Sequence, residues 1–189
     1  MTSSTTARNR RRGFTLVELL VAAGIGSFIL TGVLAANRVV VRTGLRAANY
    51  AEMEAQTRRA LDTLGGDLRC ATAFTYNNAS DITLTIPTTG LATTSVTYAW
   101  TSATGSLFRV PGADSSATTG RIYLVRGIPS GSGGAAGLTF TRYDRDGNTT
   151  TSNSATKRIV VQFSAQRTGT TLVTTNQNAI TATFVMRNL

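Results

Sequence analysis

Three hydropathy patterns follow one another along the chain, and each predicts a different element. From Phe14 to Ala36 the residues are apolar or small, and Glu18 is the one ionisable group among them. That run is 23 residues long, and about 20 apolar residues in a helix cross the ~30 Å hydrocarbon layer of a membrane. Between Arg38 and Leu68 there is no proline, and Tyr50, Met53, Thr57, Ala60, Leu61, Leu64 and Leu68 recur at three- and four-residue steps. That spacing marks one face of a helix. Glu54 and Arg58 form a favourably ordered i,i+4 pair off that face, worth tenths of a kcal/mol. One helix from Phe14 to about Gly65 would be about 80 Å long, and Gly65-Gly66 followed by Asp67 predicts its bend or end, with continuation for a turn through Leu68 and Cys70 as the alternative.

After residue 70 the texture changes to Thr, Ser, Asn and Gly, with apolar residues in alternation. Ile82-Leu84-Ile86, Val96-Tyr98-Trp100, Leu107 to Val110, Ile122 to Val125, Leu138-Phe140, Ile159 to Phe163, and Ile180-Ala182-Phe184-Met186 carry it. Period two separated by turn clusters predicts short antiparallel strands, in one sheet or two. Pro87, Pro111 and Pro129 fall at the edges of these runs, as their missing N–H requires. The chain therefore divides into a leader (1–13), an apolar helical half (14–36), an amphipathic helical half (37–69) and a β domain (70–189), an α+β class with one globular core.

Glu18 is the anomaly of the apolar run. A carboxylate inside a membrane helix costs about 2.5–3.5 kcal/mol at mid-bilayer, less near the end, and is kept where something pairs with it. Cleavage between Gly13 and Phe14 would create such a partner, an amine on Phe14, within one chain or between neighbouring subunits. Two plainer readings compete. A secretory signal peptide has a shorter apolar core and a small-residue cleavage site, and neither fits this run. An ordinary single-pass anchor fits the length, but Arg8, Arg10, Arg11 and Arg12 before the run are answered by Arg38, Arg42 and Arg46 after it, so charge alone sets no orientation.

Arg-Gly-Phe-Thr-Leu-Val-Glu, residues 12–18, followed by apolar and small residues to Gly32, resembles the processing signal of type IV prepilins and type II secretion pseudopilins. The resemblance implies that prepilin peptidase cuts at Gly13/Phe14 on the cytoplasmic side, that the new amine of Phe14 is methylated, and that Glu18 guides the subunit into a filament. It implies a pilin-like fold with the long N-terminal helix packed on an antiparallel β domain. The N-terminus is then cytoplasmic, the helix single-pass in the inner membrane, and the C-terminal domain periplasmic or extracellular before incorporation into a filament. Partners are other pilin or pseudopilin subunits, the peptidase and the membrane. Gly24, Gly26 and Gly32 each cost about 1 kcal/mol of helix propensity; they let helices pack closely, and in resembling pilins such a stretch partly unwinds on assembly. Val96 to Trp100, Leu107 to Arg109, Leu138 to Asp144, Arg158 to Phe163 and the ending Met186-Arg187-Asn188 are similar to the larger minor subunits, the J-type pseudopilin and the W-type minor pilin.

Composition narrows the chemistry. There is no histidine and one cysteine, Cys70. This removes the Ser-His-Asp and Cys-His arrangements, histidine zinc sites and an intrachain disulfide, and no cofactor or enzymatic activity is expected. The formal charge is +10, and loss of the four leader arginines leaves 15 basic against 9 acidic residues. A basic balance suits acidic partners, among them nucleic acid, and equally a solvated surface. Tyr98, Trp100, Phe108 and Tyr143 near Arg109, Arg121, Arg126 and Arg142 give the alternative function, a tip subunit binding a ligand or single-stranded DNA, as in adhesion or DNA uptake. Asp144, Asp146 and Asn148 are the candidates for calcium, which some pseudopilins bind. Against that, Asp146-Gly147 reads as a turn, and no glutamate closes the loop.

Overall fold

The computed structural model describes residues 13–89, 92–169 and 172–187. One helix, α1, runs from Leu16 to Cys70 over 55 residues. Nothing in its sequence stops it: the first proline of the chain is Pro87. The chain divides into two compact units, residues 1–45 and 46–189, and α1 contributes to both.

In the first unit every described residue, Gly13 to Leu45, is exposed. Phe28 is 82% exposed and Leu16 75%. By length and composition α1 is able to cross a membrane. Apolar side chains open to solvent at this density find their burial in lipid or against other helices.

In the second unit α1 carries the expected stripe. Met53, Thr57, Ala60, Leu64 and Leu68 are buried, whereas Tyr50 stays exposed. Burial of a side chain such as Leu64 or Leu68 contributes about 1.5–3 kcal/mol. Off the stripe, Arg58 Nη2 meets Glu54 Oε1 at 2.6 Å as the i,i+4 spacing predicts.

Among the described residues eight strands follow the helix: β1 (Ala73–Asn78), β2 (Asp81–Pro87), β3 (Thr93–Thr101), β4 (Ser106–Pro111), β5 (Ile122–Arg126), β6 (Leu138–Tyr143), β7 (Arg158–Gly169) and β8 (Leu172–Val185). They form two antiparallel sheets, a five-stranded meander in chain order β1 to β5 and a three-stranded sheet β6-β7-β8. Leu64, Leu68, Ile82, Leu84, Tyr98, Leu107, Leu138, Phe140, Ile159 and Val161 share one buried cluster, so the helix and both sheets have a common core.

Besides Tyr50, the structure departs from the sequence reading in four places. Gly65-Gly66 neither bends nor ends α1: Gly65 is buried in the helix because a Cβ there would lie 2.8 Å from Cε1 of Phe184. The glycine lets β8 approach the helix backbone. Strand β1 was not expected, since only Phe74 and Tyr76 alternate in it. Strands β7 and β8 extend past their apolar segments, because their Thr-, Gln- and Asn-rich parts pair with one another in a ladder that shifts register once, between Arg167 and Gly169. Pro87 and Pro111 close β2 and β4, whereas Pro129 lies beyond the end of β5 rather than at its edge.

Candidate functional site

Gly13, Phe14 and Thr15 precede the helix, and α1 begins at Leu16. Thr15 is its N-cap. The Thr15 N–H donates to Glu18 Oε2 at 2.9 Å, and the Glu18 N–H donates to Thr15 Oγ1 at 3.3 Å. The Thr15 hydroxyl also donates to Glu18 Oε2 at 3.1 Å, and the Leu19 N–H reaches the Thr15 carbonyl at 3.2 Å. This is a capping box, in which residue and carboxylate three positions apart satisfy each other's backbone N–H groups. Glu18 thus has a polar partner within its own first turn, a neutral one where the sequence analysis expects a cation. The signal was present as Thr-x-x-Glu at the start of an apolar run.

The cap sets the geometry of the neighbouring bond. With the helix starting at Leu16, the Gly13–Phe14 peptide lies outside it, and Phe14 is 87% exposed. A Cβ added at Gly13 meets nothing within 4 Å. The fold itself therefore makes no demand for glycine there.

The other predicted residues are dispersed. Asp144 belongs to a turn: its N–H donates to the Asn148 carbonyl at 2.9 Å, and its Oδ1 accepts the Asn148 N–H at 2.8 Å. Gly147 in that turn has φ +91°, a conformation suited to glycine. Asp146 and Asn148 are exposed beside it, and among the described residues no group of three or more His, Cys, Asp or Glu is placed to hold a metal ion.

The aromatic and basic residues pair among themselves. Tyr98 is fully buried and its hydroxyl donates to Asp67 Oδ2 at 2.6 Å, an oxygen that also accepts from Arg109 Nε at 2.9 Å. Burial, together with the Asp67 carboxylate, pushes the Tyr98 hydroxyl far above its ordinary range. Burial works against the Arg109 charge, but the Asp67 carboxylate more than offsets it and raises the guanidinium. Trp100 Nε1 donates to the Ile128 carbonyl at 3.2 Å. Arg121 covers Phe108 at 4.1 Å, Arg142 covers Tyr76 at 3.9 Å, Arg158 covers Tyr143 at 4.6 Å, and Arg126 lies over Tyr123 at 5.1 Å. Base stacking needs open aromatic faces; Phe108, Tyr76, Tyr143 and Tyr123 each have an arginine on one face, Tyr98 is buried, and Trp100 is half-buried against the core. The Asp67–Tyr98–Arg109 cluster, which fastens α1 to β3 and β4, was also not foreseen.

The prokaryotic N-terminal methylation motif matches residues 8–34. This is the N-terminal segment of the type IV pilin and pseudopilin family. No curated protein and no solved structure matches the chain. The matched segment takes in the arginines that precede Gly13, Gly13 and Phe14 themselves, the Thr15–Glu18 cap and most of the apolar half of α1, and the fold is the α+β arrangement expected from the sequence.

Proposed function

We propose that the chain is the precursor of a minor structural subunit of a type IV pilus or a type II secretion pseudopilus. The leader lies in the cytoplasm, the apolar half of α1 crosses the inner membrane, and the β domain lies on the far side. Prepilin peptidase cuts between Gly13 and Phe14, and the amine of Phe14 is then methylated. The observation that carries this reading is the Thr15–Glu18 cap. It starts the helix just after the cut bond, so that bond lies outside the helix, beside an exposed Phe14. Since the fold leaves Gly13 unconstrained, the requirement for glycine is assigned to the peptidase.

Cleavage changes the surroundings of Glu18. Before it, the carboxylate is held by Thr15; after it, a cationic amine stands one residue further upstream, on Phe14. As neighbouring helices replace lipid, an unpaired charge at that position becomes expensive. Pairing Glu18 with the Phe14 amine, in one subunit or between two, therefore fixes axial register. The test is coexpression with a prepilin peptidase followed by mass spectrometry of the membrane-extracted product. The expected mature chain begins at methylated Phe14, Gly13→Asp accumulates uncut, and Glu18→Ala is cut but poorly incorporated into filaments. An intact leader on the native chain would refute the reading.

A further inference from the structure

A groove lies between the second half of α1 and β5, the terminal strand of the five-stranded sheet. Gln56, Arg59, Thr63, Tyr123 and Arg126 supply its polar lining, and it encloses about 210 Å³. Two arginines and no acidic residue are among the lining; the Gln56 amide beside them donates to Glu52 Oε1 at 3.2 Å, and the Thr63 hydroxyl donates to the Arg59 carbonyl at 2.8 Å. Beside it Ile122 is 54% exposed and Tyr123 39%. These two belong to a strand whose outer side pairs with no other strand among the described residues.

The sheet edge and the charge bear on each other. An exposed edge invites pairing with any strand, and proteins blunt such edges with charges and bulges. Strand β5 has both: Arg126 at its end, and a register shift against β4 between Leu107 and Phe108. A second copy of this basic edge is repelled. An extended segment bearing carboxylates is accepted, because the two arginines offer forked donors to it while Ile122 and Tyr123 supply apolar contact. We propose that this groove docks an acidic, extended peptide segment of a partner subunit, with its carboxylates at Arg59 and Arg126. The site is independent of the processed N-terminus, so its failure leaves the cleavage reading standing, and the reverse also holds.

The test uses the full chain in detergent micelles and fluorescence anisotropy of three probes: an alternating Glu-Val peptide, its Lys-Val counterpart, and an oligothymidylate. The Glu-Val peptide is expected to bind at least about tenfold more tightly than the Lys-Val peptide. Arg126→Gln with Arg59→Gln should weaken it by about tenfold or more, the size expected for two charge-assisted contacts. Tyr123→Glu should abolish it, and Arg126→Lys should retain part of it. Arg126→Gln alone and Arg145→Gln each remove one unit of charge; Arg126→Gln should weaken binding, whereas Arg145→Gln, in an exposed turn that does not line the groove, should leave it unchanged. Equal binding of both peptides overturns the proposal. So does an equal loss in Arg145→Gln, which would mean net charge alone. Tighter binding of oligothymidylate that depends on Arg126 overturns it in favour of a nucleic-acid ligand.

Discussion

Gly26 and Gly65 lie on the same uninterrupted helix, yet a Cβ added at Gly26 meets nothing within 4 Å, whereas one at Gly65 lies 2.8 Å from the Phe184 ring. The contrast holds for the two halves of α1 as a whole. Residues 16–45 place every side chain in the open, while from Met53 onward the helix buries one in three or four against the strands. A helix half that the chain itself packs has its sequence explained by the chain. The exposed half has a sequence that only a surrounding medium or partner explains: 1 kcal/mol or so lost at each of Gly24, Gly26 and Gly32 brings no contact within this molecule.

The largest effect expected on the packed half comes from Asp67→Ala. It strands the Arg109 guanidinium and the buried Tyr98 hydroxyl, which share one carboxylate oxygen. Both groups of the ion pair are about four-fifths buried, and breaking such a pair from one side costs about 3 kcal/mol. Thermal unfolding of the β domain should shift down accordingly. An unchanged midpoint would mean that α1 is held to β3 and β4 by apolar packing alone.

Next comes a matched pair of substitutions. Gly65→Leu forces the Phe184 ring aside and should cost about 2 kcal/mol by overpacking, although leucine favours the helix. Gly26→Leu should leave the same unfolding midpoint where it was and instead reduce filament incorporation. If both variants lowered the midpoint equally, the distinction between the halves would collapse.

How much of this contrast the sequence displays depends on the range of the interaction. The apolar run, the stripe from Met53 to Leu68 and seven of the strands are local periodicities, and each appears where the pattern predicts. Gly65 suggests a helix end locally, with continuation to Cys70 as the alternative, and what decides between them is Phe184, 119 residues later along the chain. Asp67 was passed over for the same cause, since its partners lie 31 and 42 residues away. Thr15 differs, because its capping box is as local as a signal can be, but the partner it gives Glu18 is neutral rather than cationic.

A smaller effect comes from pH. The Tyr98 hydroxyl in the folded chain titrates well above its ordinary value of 10.0, so the folded state holds that proton more tightly than the unfolded state. The stabilisation is complete below pH 10 and is lost as pH rises above it, at about 1.4 kcal/mol per pH unit for one group. Unfolding of the native chain should therefore become steeper in pH above 10 than that of Tyr98→Phe, in which this proton is absent. Equal alkaline slopes would show that another group governs the transition.

The smallest expected effect is on the exposed half and tests whether its order begins at the cap. Thr15→Val removes the hydroxyl that accepts the Glu18 N–H and donates to its carboxylate, leaving only the backbone N–H of residue 15 on Glu18. Loss of a threonine cap costs about 1 kcal/mol, roughly a fivefold rise in opening of the first turn. Amide exchange at Glu18 and Leu19, measured in the full chain in micelles, should quicken by that factor, while Thr15→Ser should exchange as the native chain does. The amides of residues 60–68, held by the core, should not change in either variant. Exchange at Glu18 unaffected by valine would mean that the surrounding micelle, rather than Thr15, fixes where α1 starts, and the exposed half would then owe even its first turn to its surroundings.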